Sequence, residues 1–351
     1  MRLAVLKINS DKYEFAWSFH HILMDGWCVS ILIKEFFEIY HSLVSGRGPA
    51  LKKAYPYSNY IKWLGELNKN ASLKYWREYL SGYEMLSSVP KTTAAEKPVR
   101  RYLKKSIYIQ GPLRQGIQAL CNATGVTENT FMQTIWGILL GKYNNSDDVV
   151  FGSVVSGRPA EVEGIEEMIG LFINTIPVRI RLKAGITIKE LLAEVQQAYL
   201  EGSRHHYTQL IDVQMESELG VNLFDHIQVF ENYPVQELIE QSMGAGQDSG
   251  RLSFLSSDTF WQTSYDLSVM IMPGNTIEIL FAYNDNVYSD EQINRIGVHL
   301  RQITEQVVTN PVCSVADISY ITEPEKQQLL SEFNNTAADY PGDTTLMRLF
   351  E

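Results

Sequence analysis

Apolar and polar positions along the chain follow two different periods, and the switches between them outline the fold. Residues 2–8 (RLAVLKI) and 13–19 (YEFAWSF) are short apolar runs around the polar cluster Asn9-Ser10-Asp11-Lys12, which predicts a β-hairpin. The second run leads straight into His20-His21. Asp25-Gly26 then breaks the pattern. WCVSILIKEFFEIYHSLVSG follows with helical spacing: an apolar face, a charged return at Lys34, Glu35 and Glu38, and Gly46 at its close. The order is strand, polar turn, helix, with histidine and aspartate at a strand end and a helix start.

A Pro- and Tyr-containing stretch, AYPYSNYIKWLGELN, precedes an amphipathic helix in ASLKYWREYLSG, with Leu73, Trp76 and Leu80 on one side. Residues 84–100 are polar with two prolines and predict a crossing between lobes. A strand is expected at 101–110, then a helix ending at Gly125. A second helix follows, capped near Thr127, and then an apolar strand at 148–155 that ends in Ser156-Gly157-Arg158-Pro159. A short helix and the strand NTIPVRIRL fill 165–182, the strand with arginines alternating outward. After a helix at 187–201, His205-His206 opens a polar helix or loop. Strands in FDHIQVFENY, YDLSVMIMPG and GNTIEILFAYNDNVYS lead to the long amphipathic helix EQINRIGVHLRQITEQVVTN and a charged tail. No repeat is visible. Helices and strands in alternation imply layered α/β lobes.

Bulk properties narrow the function. The chain has 351 residues, 45% of them hydrophobic, enough to bury real cores and unlike a disordered chain. A net charge of −11 argues against nucleic-acid partners and anionic membranes, both of which call for a basic field. Cys28, Cys121 and Cys313 have no CxxC spacing, so neither a disulfide framework nor a thiolate zinc site is suggested. The first residues carry charges throughout and do not read as a signal peptide, and no apolar run is long enough for a membrane span. The expectation is a soluble, cytoplasmic protein.

The sharpest chemical signal is HHILMDG at 20–26. Its second histidine and its aspartate are four residues apart, and a strand-end turn can bring them close. One ring nitrogen of His21 would then face a cleft, while the other needs a partner to fix the tautomer. Gly26 permits a tight turn and close approach of another backbone, and the helix start supplies a mildly positive rim. A lone histidine is ordinarily structural, so the string, not the residue type, carries the catalytic reading. Metal binding is disfavoured, because adjacent histidines on a strand point opposite ways and no HExxH occurs. Asp25 is either an orienter of His21 or half of a structural ion pair. A buried aspartate needs a cationic or donor partner, and Arg158 is the candidate.

HHILMDGW at 20–27 closely resembles the central motif of condensation domains from nonribosomal peptide synthetases, and other segments fall in that family's order. YPYSNYIKW at 55–63 is similar to its tyrosine-rich segment, with Asn59 where aspartate is common. FGSVVSGRP at 151–159, IGLFINTIPVR at 169–179, RHHYTQLIDVQ at 204–214 and LGVNLFDHIQVFENYP at 219–234 resemble later motifs. SYDLSVMI and FAYNDNVYS fit the C-terminal lobe, and NNTAADYPGDTTLMRLFE resembles the start of an adenylation domain.

This resemblance implies an α/β fold of the chloramphenicol-acetyltransferase-like type: two lobes, mixed sheets flanked by helices, around a tunnel. It assigns 1–90 to the remaining part of the N-terminal lobe, 91–325 to the C-terminal lobe and 326–351 to a linker and the first adenylation-domain residues. The implied reaction is peptide-bond formation between two thioesters on 4'-phosphopantetheine arms, supplied by upstream and downstream carrier proteins. No cofactor is tightly bound. His21 positions or deprotonates the amine, with the backbone at Gly26 near the oxyanion. His20, Asp25, Arg158 and Asn174 are implied as structural or site-organising residues. The continuation DGWCVS separates the chain from epimerization domains, and the histidine motif separates it from heterocyclization domains. Only 19 residues precede His20, far fewer than the family pattern has. The N-terminal lobe is therefore expected to be incomplete, with a strand edge open to a chain that supplies the rest, and the chain by itself is expected to be weakly active or inactive. The alternatives are a non-catalytic remnant or docking piece, and a free-standing acyltransferase using a small thioester such as coenzyme A.

Overall fold

The computed structural model describes residues 1–92, 101–231, 263–337 and 345–350. The N-terminal elements form a small layer. Strands β1 (Arg2–Lys7) and β2 (Tyr13–Ser18) pair antiparallel as the predicted hairpin, Leu3 opposite Trp17 and Val5 opposite Phe15. Asn9 closes the turn by accepting the backbone N–H groups of Asp11 and Lys12 at 2.9 and 2.7 Å. A single 3-10 turn (His21–Leu23) links β2 to helix α1 (Gly26–Val44). Helix α2 (Ser58–Glu66) follows, in the stretch whose sequence showed only prolines and tyrosines.

The remainder is built on one six-stranded mixed sheet in the order β3-β8-β7-β6-β4-β5. Its strands are β3 (Tyr102–Ile109), β4 (Asp148–Val155), β5 (Asn174–Arg181), β6 (His226–Phe230), β7 (Leu267–Met272) and β8 (Ile277–Asn284). β6 runs parallel to β4 and β7, and every other pairing is antiparallel. Alternation along β4 shows how the two faces divide. Val149 and Phe151 enter the larger core, and Val150 enters the smaller core on the opposite face.

Over the larger core lie α4 (Gly111–Thr124), α5 (Glu128–Asn144), α6 (Ile188–Gly202) and α8 (Asp290–Thr309). α5 is buried on nearly all sides, as expected of a helix without a polar stripe, and Thr127 caps it by accepting the N–H of Thr130. The smaller core is covered by α3 (Lys69–Leu80) and α7 (Leu210–Met215), through Trp76, Leu80, Tyr83 and Val213. α3 thus packs on the sheet, and Val89 enters the larger core. Residues 93–100 of the predicted crossing, residues 232–234 of the FENYP segment, and residues 338–344 of the tail lie outside the described residues.

Strand β5 is a sheet edge, and its exposed backbone is covered rather than left open. Pro177 offers no donor. The Arg179 N–H donates to the Tyr79 hydroxyl at 2.7 Å. The side chain of Arg179 corrects the expectation of outward arginines: the residue is only 8% exposed. Its guanidinium binds the Asp148 carboxylate at 2.5 Å and donates to the carbonyls of Tyr79 (2.8 Å) and Ser81 (2.9 Å). Alternation placed Arg179 on the right face, but α3 covers that face. No helix of the described residues is long and apolar enough to cross a membrane.

Candidate active site

The site is built on the turn between β2 and α1. His20 occupies the cap of the 3-10 turn, and its Nδ1 accepts the backbone N–H of Ile22 at 3.1 Å. His20 thus serves the turn. His21 begins the turn with its side chain exposed. Among the described residues its ring makes no hydrogen bond. The Phe19 ring lies edge-on to it with centroids 6.3 Å apart. The expected tautomer-fixing partner is not found within the described residues. Met24 is buried beneath the turn.

Asp25 turns the other way, into the interface between the two layers, and is fully buried. As the N-cap of α1, its Oδ1 accepts the Cys28 N–H at 3.3 Å. Its Oδ2 accepts the Phe172 N–H at 3.0 Å, and its own N–H donates to the Gly170 carbonyl at 3.3 Å. Arg158 lies 3.4 Å from Oδ1, with 3% of its side chain exposed. The same guanidinium donates to the carbonyls of Ile165 and Met168 and stacks over the Phe172 ring at 4.0 Å. Asp25 and Arg158 are thus brought together, and Asp25 does not orient His21.

Cys28 completes this knot and was missed by sequence reasoning. Its Sγ lies 3.2 Å from Asp25 Oδ1, 3.1 Å from the Gly170 carbonyl and 3.2 Å from Arg158. Burial pushes its thiol pKa up, and the Asp25 charge adds to that, so the thiol stays protonated and donates. The indole N–H of Trp27 donates to the Glu166 carbonyl at 2.9 Å, and the Tyr57 hydroxyl to the Leu171 carbonyl at 2.6 Å. The segment 165–172 is therefore gripped along its length by α1 and the start of α2.

Gly157 makes the grip possible. It has φ of +61°, and a Cβ on it would overlap the Phe172 carbonyl oxygen. Gly157→Ala is expected to cost about 2–3 kcal/mol, from left-handed backbone strain plus displacement of that carbonyl. A urea unfolding titration measures it, and an unchanged midpoint would contradict the close approach.

Gly26 does not behave as its sequence context suggested. Its φ is not positive, and a Cβ there would meet no heavy atom within 4 Å. Among the described residues no other backbone comes within 4 Å of that position. Asn174, at the start of β5, points to neither His21 nor Asp25. Its amide donates to the carbonyls of His206 (2.8 Å) and Thr208 (2.6 Å) and ties down the 206–208 loop.

Other histidines are committed elsewhere. His226 is fully buried, accepts the Trp136 indole N–H on Nε2 at 3.0 Å and faces Asp225 across 2.8 Å on Nδ1. His299 lies between Tyr143 (2.7 Å) and Glu325 (2.8 Å), and His205 bonds Ser72 at 2.9 Å. His206 is buried, and its pKa falls to about 4 because burial disfavours the cation. Among the described residues no group of three His, Cys, Asp or Glu is arranged to hold a metal ion.

Residues 1–330 match the condensation-domain family model. The chain is similar to bacitracin synthase 3 of Bacillus licheniformis, 41% identical over 100% of this chain and 6% of that protein. It is likewise similar to tyrocidine synthase 2 of Brevibacillus parabrevis, 40% identical over 98% of this chain and 10% of that one. It therefore spans a small part of these relatives. Among solved structures, the X-domain from teicoplanin biosynthesis shares the fold with a TM-score of 0.73 at 17% identity, over 91% of this chain and 74% of that one. The first condensation domain of the calcium-dependent antibiotic synthetase has a TM-score of 0.70 at 15% identity, over 92% and 72%. These two solved structures share the two-lobed α/β architecture, and the chain belongs to the condensation-domain family.

Proposed function

We propose that the chain carries the site for peptide-bond formation between an upstream acyl or peptidyl thioester and a downstream aminoacyl thioester. Both substrates are presented on phosphopantetheine arms of carrier proteins in a nonribosomal assembly line. The observation that carries this reading is an exposed histidine, free of hydrogen bonds within the described residues, on a turn whose next residues are anchored by the buried Asp25–Arg158 pair. A thioester is already activated, so the protein needs to hold a neutral amine in line and receive its proton. As the amine attacks the carbonyl carbon, the C–N bond forms, the carbonyl electrons move to oxygen and the amine loses a proton. Collapse expels the thiol. His21 holds the amine or takes its proton.

The N–H of Gly26, in the first turn of α1, has no intrahelical partner and is the donor we assign to the developing oxyanion. Gly26→Ala is expected to leave the thermal midpoint unchanged, since a Cβ meets nothing there, yet to slow transfer roughly 10- to 100-fold by displacing the substrate. Parallel melts and single-turnover assays separate the two effects. Unchanged transfer would remove Gly26 from the site.

We place the division between lobes between α2 and α3 rather than at residue 90, because α3, Tyr83 and Val89 pack with the six-stranded sheet. Residues 326–351 are proposed to lead toward an adenylation domain. A second reading, a docking piece without activity of its own, is favoured by one observation. The hairpin exposes large apolar side chains, Val5 at 65% and Phe15 at 54%. We propose that polypeptide completing the N-terminal lobe covers this face in the active assembly.

The test loads two carrier proteins, one with an aminoacyl donor and one with an aminoacyl acceptor, and follows the acceptor carrier by intact mass. Dipeptidyl carrier formed only when the chain is present supports the proposal. If none forms, either from the chain alone or with the chain joined to polypeptide completing the lobe, the docking reading takes its place.

A further inference from the structure

The aromatic stretch at 55–63 takes no part in the chemistry assigned to His21, yet of its rings at 57, 60 and 63 the first two end on Phe172, in the segment that anchors the Asp25 cap. Their spacing of three places them along one side of α2 and the turn before it. The Tyr60 ring packs on Phe172 with centroids 4.8 Å apart, and Trp63 meets Tyr207 at 4.6 Å, ring planes perpendicular. Tyr57 makes the most specific contact. Its hydroxyl donates to the Leu171 carbonyl at 2.6 Å, and its ring lies edge-on to Phe172 at 5.2 Å. The ring also fills the space a side chain at Gly170 would take.

Residues 170–172 are therefore held from two sides, with the Cys28 thiol beside Asp25 on the first. On one side Asp25 holds the Gly170 carbonyl and the Phe172 N–H, and on the other Tyr57 holds the carbonyl between them. Gly170 is the joint that needs clamping, because it has no side chain to limit its backbone. Without the Tyr57 hydroxyl, the Leu171 carbonyl loses its partner and the peptide planes on either side can rotate. Any such rotation moves the Phe172 N–H and the Gly170 carbonyl, and with them Asp25, the N-terminus of α1 and the turn bearing His21.

We propose that Tyr57 is a positioning residue for the His21 turn, acting through the Leu171 carbonyl and the Asp25 cap. Burial raises the phenol pKa, which keeps the hydroxyl a donor across the pH range of the reaction. The consequence for rate depends on the reading of His21 given above. The mechanical consequence does not.

Tyr57→Phe removes the hydroxyl and keeps the ring against Gly170 and Phe172. Amide hydrogen exchange read by mass spectrometry is expected to be about 5–10-fold faster in peptides covering 20–28 and 168–174, with peptides from the buried α5 unchanged. In single-turnover transfer the rate falls about 10-fold while the half-saturating concentration of acceptor carrier stays the same. Unchanged exchange at 20–28 would overturn the proposal. So would a uniform rise that includes α5, which would make Tyr57 a general stabiliser. If the unsubstituted chain transfers nothing, the function proposed above fails, and the exchange pattern still decides the role of Tyr57.

Discussion

Replacement of His21 by alanine is expected to lower dipeptide formation by about 10²–10⁴-fold, the usual range for loss of one acid–base or amine-holding side chain. The fold should hardly register the change. The His21 side chain is exposed and makes no hydrogen bond within the described residues, and surface substitutions of that kind stay within about 0.5 kcal/mol. A large kinetic loss at constant stability separates a reacting or positioning group from a structural one. His20→Ala is the contrasting case. It removes the acceptor for the Ile22 N–H and loosens the turn, so it should alter both properties modestly. The measurement is single-turnover transfer between loaded carriers, paired with thermal melts of each variant. A His21→Ala variant with full transfer rate would mean that proximity alone drives the reaction and that the histidine is dispensable.

Much of this arrangement was legible in the residue pattern, and the parts that were not share a physical reason. The hairpin, the helix after Asp25-Gly26 and the Thr127 cap depend on neighbours in sequence, and all three form where their local signals lie. The Asp25–Arg158 contact joins distant residues, and it was reachable because a buried carboxylate has few ways to be satisfied. Arg179 shows the opposite case. Period-2 alternation says which face a side chain takes, not whether a helix covers that face, and α3 arrives from about 100 positions away in the chain. Cys28 was read for disulfide or metal spacing and not as a hydrogen-bonding thiol inside the knot. Gly26 was read as a site of close backbone approach, whereas among the described residues nothing meets a Cβ placed there and Gly157 makes the tight contact. The tyrosines at 57 and 60 were quoted for their resemblance alone, since their meaning lies in the 170–172 segment they touch.

Asp25→Ala is expected to destabilise the chain by about 3–5 kcal/mol, the range for removing one partner of a buried ion pair. Four donors lose this acceptor together: the Arg158 guanidinium, the Cys28 thiol and the backbone N–H groups of Phe172 and Cys28. Arg158 keeps its carbonyl partners, but no carboxylate then balances a charge whose side chain is 3% exposed. Arg158→Ala should cost a comparable amount by leaving the carboxylate alone. The double variant should be much less destabilised than the sum of the two, because neither charge is then stranded. The Asp25→Asn variant separates charge from capping. Its amide oxygen can still accept one backbone N–H, so part of the stability should return while the ion pair is lost. Urea unfolding of the parent, the two single alanine variants and the double variant gives the coupling energy directly. Transfer activity should fall in step with the loss of the native population and its anchored turn, and the variants' pH–rate profiles should keep the shape of the parent's. An Asp25→Asn protein with parental stability but a displaced pH–rate limb would instead make Asp25 the electrostatic partner of His21, against the geometry that points its carboxylate to Phe172 and Arg158.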